Sequence, residues 1–206
     1  MSRTSQNSNE FSAEQDLLYS FFTRIYKISR EEFELSAPFW KRQQFRKNEF
    51  YNNYQSICKY LGFVLDGSFR AYYIDKETGE EQNILLYSKN QLVVSYKSFL
   101  TQSPCDYYTR CVTDADTICI HYDRLQQLYT KSHEWERLGR FMAEMAFTAA
   151  VSRTESFLLQ TPEERYLSFI QQHPDASNTI PLYHISSYLG IAGPSLSRIR
   201  RRLSNK

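Results

Sequence analysis

The chain has 206 residues, with 25 Lys and Arg against 23 Asp and Glu and a hydrophobic content of 41%; this excludes disordered and collagen-like classes and allows one large domain or two small ones. No apolar run approaches the roughly 18 residues of a membrane span, and the Ser/Asn/Gln-rich opening (residues 1–10) has no apolar signal core, so a cytoplasmic protein without a membrane anchor is expected. The small net charge hides an asymmetry: after Asp175 come Arg198, Arg200, Arg201, Arg202 and Lys206 with no carboxylate, whereas residues 1–175 hold 20 cations against 23 carboxylates.

A cationic end on an acidic body suggests nucleic acid or a membrane surface as partner. Cys58, Cys105, Cys111 and Cys119 have no Cys-x-x-Cys spacing, so free thiols are expected and neither a zinc nor an iron–sulfur site.

Along the chain, Leu17, Leu18, Phe21, Phe22, Ile25 and Tyr26 form one stripe of an amphipathic helix, with Ser12 and Gln15 as its capping signal. Ser29 with Glu32 opens a second short helix. From about residue 41 to 122 the period changes from 3.6 to 2. Phe63, Leu65, Phe69, Ala71 and Tyr73 alternate with Asp66, Ser68, Arg70 and Tyr72, which predicts strands. Asp66-Gly67 reads as a two-residue hairpin and Glu77-Thr78-Gly79-Glu80 as a longer one. Further strands are predicted at 84–87, 92–94, 107–112 and 117–122, a spacing that suggests an antiparallel roll or barrel.

Residues 123–160 return to helical character. Leu138, Met142, Met145, Ala149 and Ser152 follow steps of four and three residues, a heptad-like seam for a dimer helix, with a single-chain core helix as the alternative. Thr161-Pro162-Glu163-Glu164 then opens another helix by N-cap, Pro and capping box, ended by His173-Pro174-Asp175.

Residues 182–203 carry helix-turn-helix spacing: Ile185, Leu189, Ile191, Leu196 and Ile199 face inward, Ser186 sits where the helices touch, and Gly190 begins the turn. The second helix starts near Gly193-Pro194 and faces outward with Ser195, Ser197, Arg198, Arg201 and Arg202. Arg198, in its N-terminal half, is the candidate for bidentate guanine contact; Arg200, Arg201 and Arg202 suit phosphates.

With Leu-Gly-Ile-x-x-x-Ser-Leu-Ser-Arg-Ile-Arg (residues 189–200), preceded by Thr161-Pro162-Glu163-Glu164-Arg165-Tyr166, the sequence resembles the Crp/Fnr family of transcription regulators, most of all members from the Bacteroidetes. The resemblance implies an α+β fold: a cyclic-nucleotide-binding-like antiparallel β-roll with leading helices (residues 1–125), a long dimerisation helix (126–160) and a C-terminal helix-turn-helix domain (161–206). It gives Arg198 the place of the family's base-contacting arginine. It implies double-stranded DNA, a second copy of the chain and RNA polymerase as partners, and no enzymatic activity.

The departures are specific. The family's cyclic-nucleotide cassette uses Gly-Glu at one end and Arg-Ser at the other. Here Val94-Ser95 and Asp106-Tyr107 fall there, and an aspartate repels the phosphate that a guanidinium would bind. No cyclic AMP binding by the usual mode is expected, leaving an unidentified small-molecule effector or none. No cysteine precedes Cys58, which excludes the family's iron–sulfur branch. Cys58 or His121 as a haem ligand is outweighed by a structural role, so no cofactor is expected. Only three residues follow Leu203, so a β wing is not expected.

A second reading is a small-molecule sensor or binding protein that acts through a protein partner, its DNA binding weakened or lost. A cupin-like enzyme is disfavoured because His121, His133, His173 and His184 are scattered without metal-ligand spacing.

Overall fold

In a computed structural model that describes residues 4–174 and 179–204, with residues 4–12 as backbone, α1 (Thr4–Ile25) and α2 (Arg30–Glu34) lead into the sheets. Helix α1 starts eight residues before the predicted cap, with Ser12 in its interior. Leu18 and Phe22, fully buried, anchor it. Extending it across Ser and Asn costs only their weak propensity, a few tenths of a kcal/mol each. Ser29 caps α2 as expected, accepting from Glu32 N at 3.3 Å, while its own backbone N–H donates to Glu134 Oε2 at 2.6 Å.

The strands are β1 (Lys41–Phe45), β2 (Phe50–Asn52), β3 (Tyr60–Asp66), β4 (Phe69–Ile74), β5 (Glu81–Tyr87) and β6 (Leu92–Val93). Helix α3 (Tyr96–Thr101) separates these from β7 (Tyr108–Cys111) and β8 (Ala115–His121). They form two four-stranded antiparallel sheets with orders β1-β8-β3-β6 and β2-β7-β4-β5, the roll expected from the period-2 pattern. Helices α4 (Tyr122–Lys131) and α5 (His133–Leu159) follow, then α6 (Pro162–Gln172), α7 (Leu182–Leu189) and α8 (Gly193–Ser204). The predicted stop at Asp175 and the cation Lys206 lie outside the described residues.

Two sequence expectations change. Asp66-Gly67 is not a hairpin, because β3 and β4 belong to different sheets. Gly67, at φ +86, turns the chain at the corner between them, where an added Cβ would lie 2.3 Å from the Asp114 carbonyl oxygen. The second predicted turn is a hairpin: β4 pairs with β5, Gly79 has φ +72, and Asp75 N donates to Glu80 O at 2.9 Å. The alternation along β4 also fails to give one wet face. Arg70 and Tyr72 are buried like Phe69 and Ala71, and Tyr73 is exposed. Tyr108 stacks on Tyr72 and α7 packs over the neighbouring β5, whereas Tyr73 sits near the hairpin end, past the core.

The main apolar cluster joins α1, α2, α4 and the first half of α5 to the β1-β8-β3-β6 sheet through Phe22, Phe33, Trp40, Phe63, Trp135 and Leu138. Each such side chain, taken out of water, contributes about 1.5–3 kcal/mol or more. Trp135 is also tied by its indole N–H to Glu32 O at 2.8 Å. A second cluster fills the roll around Phe69, Ala71, Val93 and Cys111, and a third holds α6, α7 and α8 together. All four cysteines are buried and unpaired; burial pushes the Cys58 thiol up to about 11 and those of Cys111 and Cys119 to about 12.

Gly67 and Gly79, both left-handed, separate conformation from packing. Gly67→Ala is expected to cost about 3 kcal/mol or more in urea unfolding, from strained φ plus the clash. Gly79→Ala, with open space around it, should cost about 1 kcal/mol.

Candidate functional site

The helices α7 and α8 are joined by residues 190–192. Pro at the first turn and the Ala192 carbonyl, which accepts from Ser195 N and Leu196 N, start α8. Gly190, at φ 61, ends α7. Ile185, Leu189, Ile191, Leu196 and Ile199 are all buried in the third cluster, with Ser186 at the crossing. Helix α6 supports them through Tyr166 and Phe169, and it opens with the expected reciprocal cap of Thr161 and Glu164. The Glu164 carboxyl is drawn below its ordinary range by the Thr161 backbone N–H and hydroxyl that it accepts.

The outward face of α8 is polar and cationic. Ser197, Arg198, Arg200, Arg201 and Arg202 are exposed and Ser195 is half-buried. Arg198 folds back on its own helix, donating to Pro194 O at 3.4 Å and to Ser195 Oγ at 3.2 Å, weak bonds that leave the guanidinium available. Ser197 Oγ donates to Gly193 O at 3.1 Å. Arg202 is engaged, forming an ion pair with Glu163 at the start of α6. Ser195, Arg198 and Arg202 line one side of a groove of about 480 Å³ whose other side is the first turn of α6.

Two contacts that the sequence did not flag hold this helix pair in place. The last carbonyls of α7 are taken by arginines from elsewhere: Arg153 of α5 donates to Tyr188 O at 2.6 Å and Arg165 of α6 to Leu189 O at 3.0 Å. Both guanidiniums also lie over the Phe157 ring, at 4.9 and 5.3 Å from its centroid. On the other side, α7 covers the free edge of β5. Asn83 N donates to Ser187 Oγ at 2.9 Å, and Asn83 Nδ2 reaches His184 O at 3.3 Å and His184 Nδ1 at 3.2 Å.

The other predicted residues lie apart from this surface. Leu138 and Met142, expected on a dimer seam, are buried in the chain's own core, because α1, α2 and α4 pack on the first half of α5. Met145, Ala149 and Ser152 are exposed, as are Phe147 at 71%, Leu158 at 77% and Leu159 at 80%. The helical stretch expected over 126–160 is interrupted: Ser132 ends α4 and caps α5 by accepting from Trp135 N. Of the cassette residues, Val94 is buried and the Ser95 hydroxyl is buried against Thr109 Oγ1 at 3.1 Å. Asp106 points out and pairs with Lys97 at 3.3 Å. Tyr107 is half-buried, and burial raises its hydroxyl well above the ordinary value.

No protein-family model and no curated protein sequence matches the chain. Solved structures do. FixK2 from Bradyrhizobium japonicum superposes with a TM-score of 0.69 at 15% identity, over 81% of this chain and 85% of that one. The catabolite activator protein of Thermus thermophilus gives 0.54 at 16%, over 88% and 86%. CLP of Xanthomonas campestris, described as a c-di-GMP-responsive global regulator, gives 0.61 at 13%, over 86% and 92%. The chain shares the fold of these proteins. No described helix is long and apolar enough to cross a membrane.

The β5–α7 contact carries a pH signature. Burial, together with Arg70, lowers the His184 pKa from 6.5 to about 4. Between those values the unfolded chain takes up a proton that the folded chain refuses, so stability falls as the pH drops through this window and is constant above it. Burial also lowers the pKa of His173, which acts in the same direction. Urea unfolding is expected to show a loss of up to about 3 kcal/mol from His184 across the window, and His184→Gln should flatten most of that slope.

Proposed function

We propose that the chain is a homodimeric, sequence-specific DNA-binding regulator of transcription of the Crp/Fnr type. In this reading residues 1–125 form the sensor domain, α5 within 126–160 is the dimerisation helix and 161–206 form the helix-turn-helix domain. The observation that carries it is the division of α8 into two faces: Leu196 and Ile199 are buried against α6 and α7, and four arginines and two serines face outward. A helix held this way has its N-terminal half free to enter a major groove. Arg198 reads a base edge and Arg200, Arg201 and Arg202 bind phosphates. RNA polymerase is a partner under the same reading.

Dimerisation rests on the second half of α5. Phe147, Val151 and Leu158 share one face of α5 and are exposed in the single chain; this face, opposite the predicted seam residues Met145, Ala149 and Ser152, is what a helix paired across a twofold axis would bury. The sensor's cassette argues against the usual cyclic AMP mode. Ser95 is satisfied by Thr109, and Asp106 puts a negative charge where a cyclic phosphate needs a cation.

On DNA carrying the selected site, Arg198→Ala is expected to cost about 1–3 kcal/mol and to relax preference at one base pair. Arg202→Ala should weaken all sequences alike and reduce the salt slope by about one. Glu163→Gln should strengthen binding to any sequence by a few-fold at low salt, because it releases Arg202 for a phosphate. Unchanged affinities of Arg198→Ala for selected and random DNA would contradict the assignment, and the sensor-only reading would gain. Leu158→Asp with Phe147→Asp should shift the protein from dimer to monomer in sedimentation equilibrium.

A further inference from the structure

A second cationic site lies between the β-roll and the helix pair, away from the face of α8. The outer side of the β2-β7-β4-β5 sheet and the start of α7 enclose a cleft of about 260 Å³. Its cations are Arg70, Arg110 and Lys47; its acid is Glu81. Arg70 is only 5% exposed. It is held by Glu81 and by Asn83 Oδ1, and it stacks on the Tyr72 ring with its guanidinium carbon 3.8 Å from the centroid. Glu81 is therefore spent on Arg70.

The Arg110 guanidinium and the Lys47 ammonium form no ion pair among the described residues; the Asp114 carboxylate is held by the Lys47 backbone N–H at 2.7 Å. Arg110 is held in place by donating through Nε to Asn48 O at 2.8 Å. Tyr183, 65% exposed, stands at the rim on the helix-pair side.

Among the side chains that line the cleft, three cations stand against one committed carboxylate, with Asp114 beside Lys47 reducing the excess; the remaining positive charge suits the charge of about −1.5 to −2 that a phosphate monoester carries near neutral pH. A buried guanidinium raises the local potential because little water screens it, and a positioned Arg with a mobile Lys can supply charge-assisted hydrogen bonds to phosphate oxygens. The volume falls below the roughly 300 Å³ at which drug-sized pockets begin, so the occupant is small.

We propose that this cleft binds a small phosphate-bearing anion, free phosphate or a phosphomonoester, through Arg110 and Lys47 over the buried charge of Arg70. Its walls come from both the roll and α7, so the bound anion ties the helix pair to the sheet. This goes beyond the reading of DNA, and its test does not depend on that reading.

Isothermal titration of the full-length protein with inorganic phosphate, and separately with glycerol 3-phosphate with glycerol as the blank, reads the site directly at constant ionic strength. The expected result is one phosphate per chain. Arg110→Gln and Lys47→Gln should each weaken it by about tenfold or more, while Arg200→Gln, on the outer face of α8, leaves it unchanged. Lys47 is exposed, so that variant keeps the test sound if Arg110→Gln folds poorly. Tighter binding of glycerol 3-phosphate than of phosphate would identify the monoester as the natural class; the reverse order would identify the free ion. No binding at about 10 mM in wild type, or binding that Arg200→Gln abolishes and Lys47→Gln does not, would overturn the proposal.

Discussion

The C-terminal end of α7 is the point on which the arrangement turns. A helix end leaves carbonyls without partners and carries partial negative charge. Here those carbonyls are met by Arg153 from α5 and Arg165 from α6, and both guanidiniums contact the Phe157 ring. Gly190 is required at the same place twice over. Its φ of 61 suits glycine, and a Cβ would meet the Phe157 ring at 2.8 Å. One small region thus fixes where α7 stops, where α8 begins, and how both sit relative to the long helix α5. If two α5 helices pair across a twofold axis, the separation of the two α8 helices is set there.

The opposite side of α7 is held differently. Strand β5 is the edge of its sheet, and an unpaired edge invites association with other chains. Helix α7 covers it with Ser187 Oγ accepting from Asn83 N and with the Asn83 amide reaching His184, and Leu86 of β5 packs against the helix cluster beside these bonds. The apolar energy of the helix pair lies within its own cluster of Tyr166, Phe169, Ile185, Leu196 and their neighbours.

Local signals in the sequence were legible where the physics is local. The Thr161–Glu164 capping box, the Gly79 hairpin and the five inward positions of residues 185–199 depend on spacing alone, and the structure has them. The two-sheet roll followed from period 2. What was not legible depended on distant partners. Gly67 looked like a hairpin residue because a positive φ serves a corner as well as a primed turn, and only the sheet assignment separates them. Leu138 and Met142 fit a heptad row, but the same row faces the chain's own core for its first half. Arg70 alternated as a solvent residue until α7 and β5 closed over it. Arg153 and Arg165 gave no signal, since an arginine that caps another helix's carbonyls has no spacing to read.

Under the proposed function, two copies of α8, fixed by α5, read DNA together. Selection of bound fragments from random double-stranded DNA by the purified full-length protein tests it most directly. The expected result is enrichment of an inverted repeat with half-site centres about one helical turn, roughly 34 Å, apart. Enrichment of no sequence, or of a single half-site without a symmetry-related partner, would contradict it.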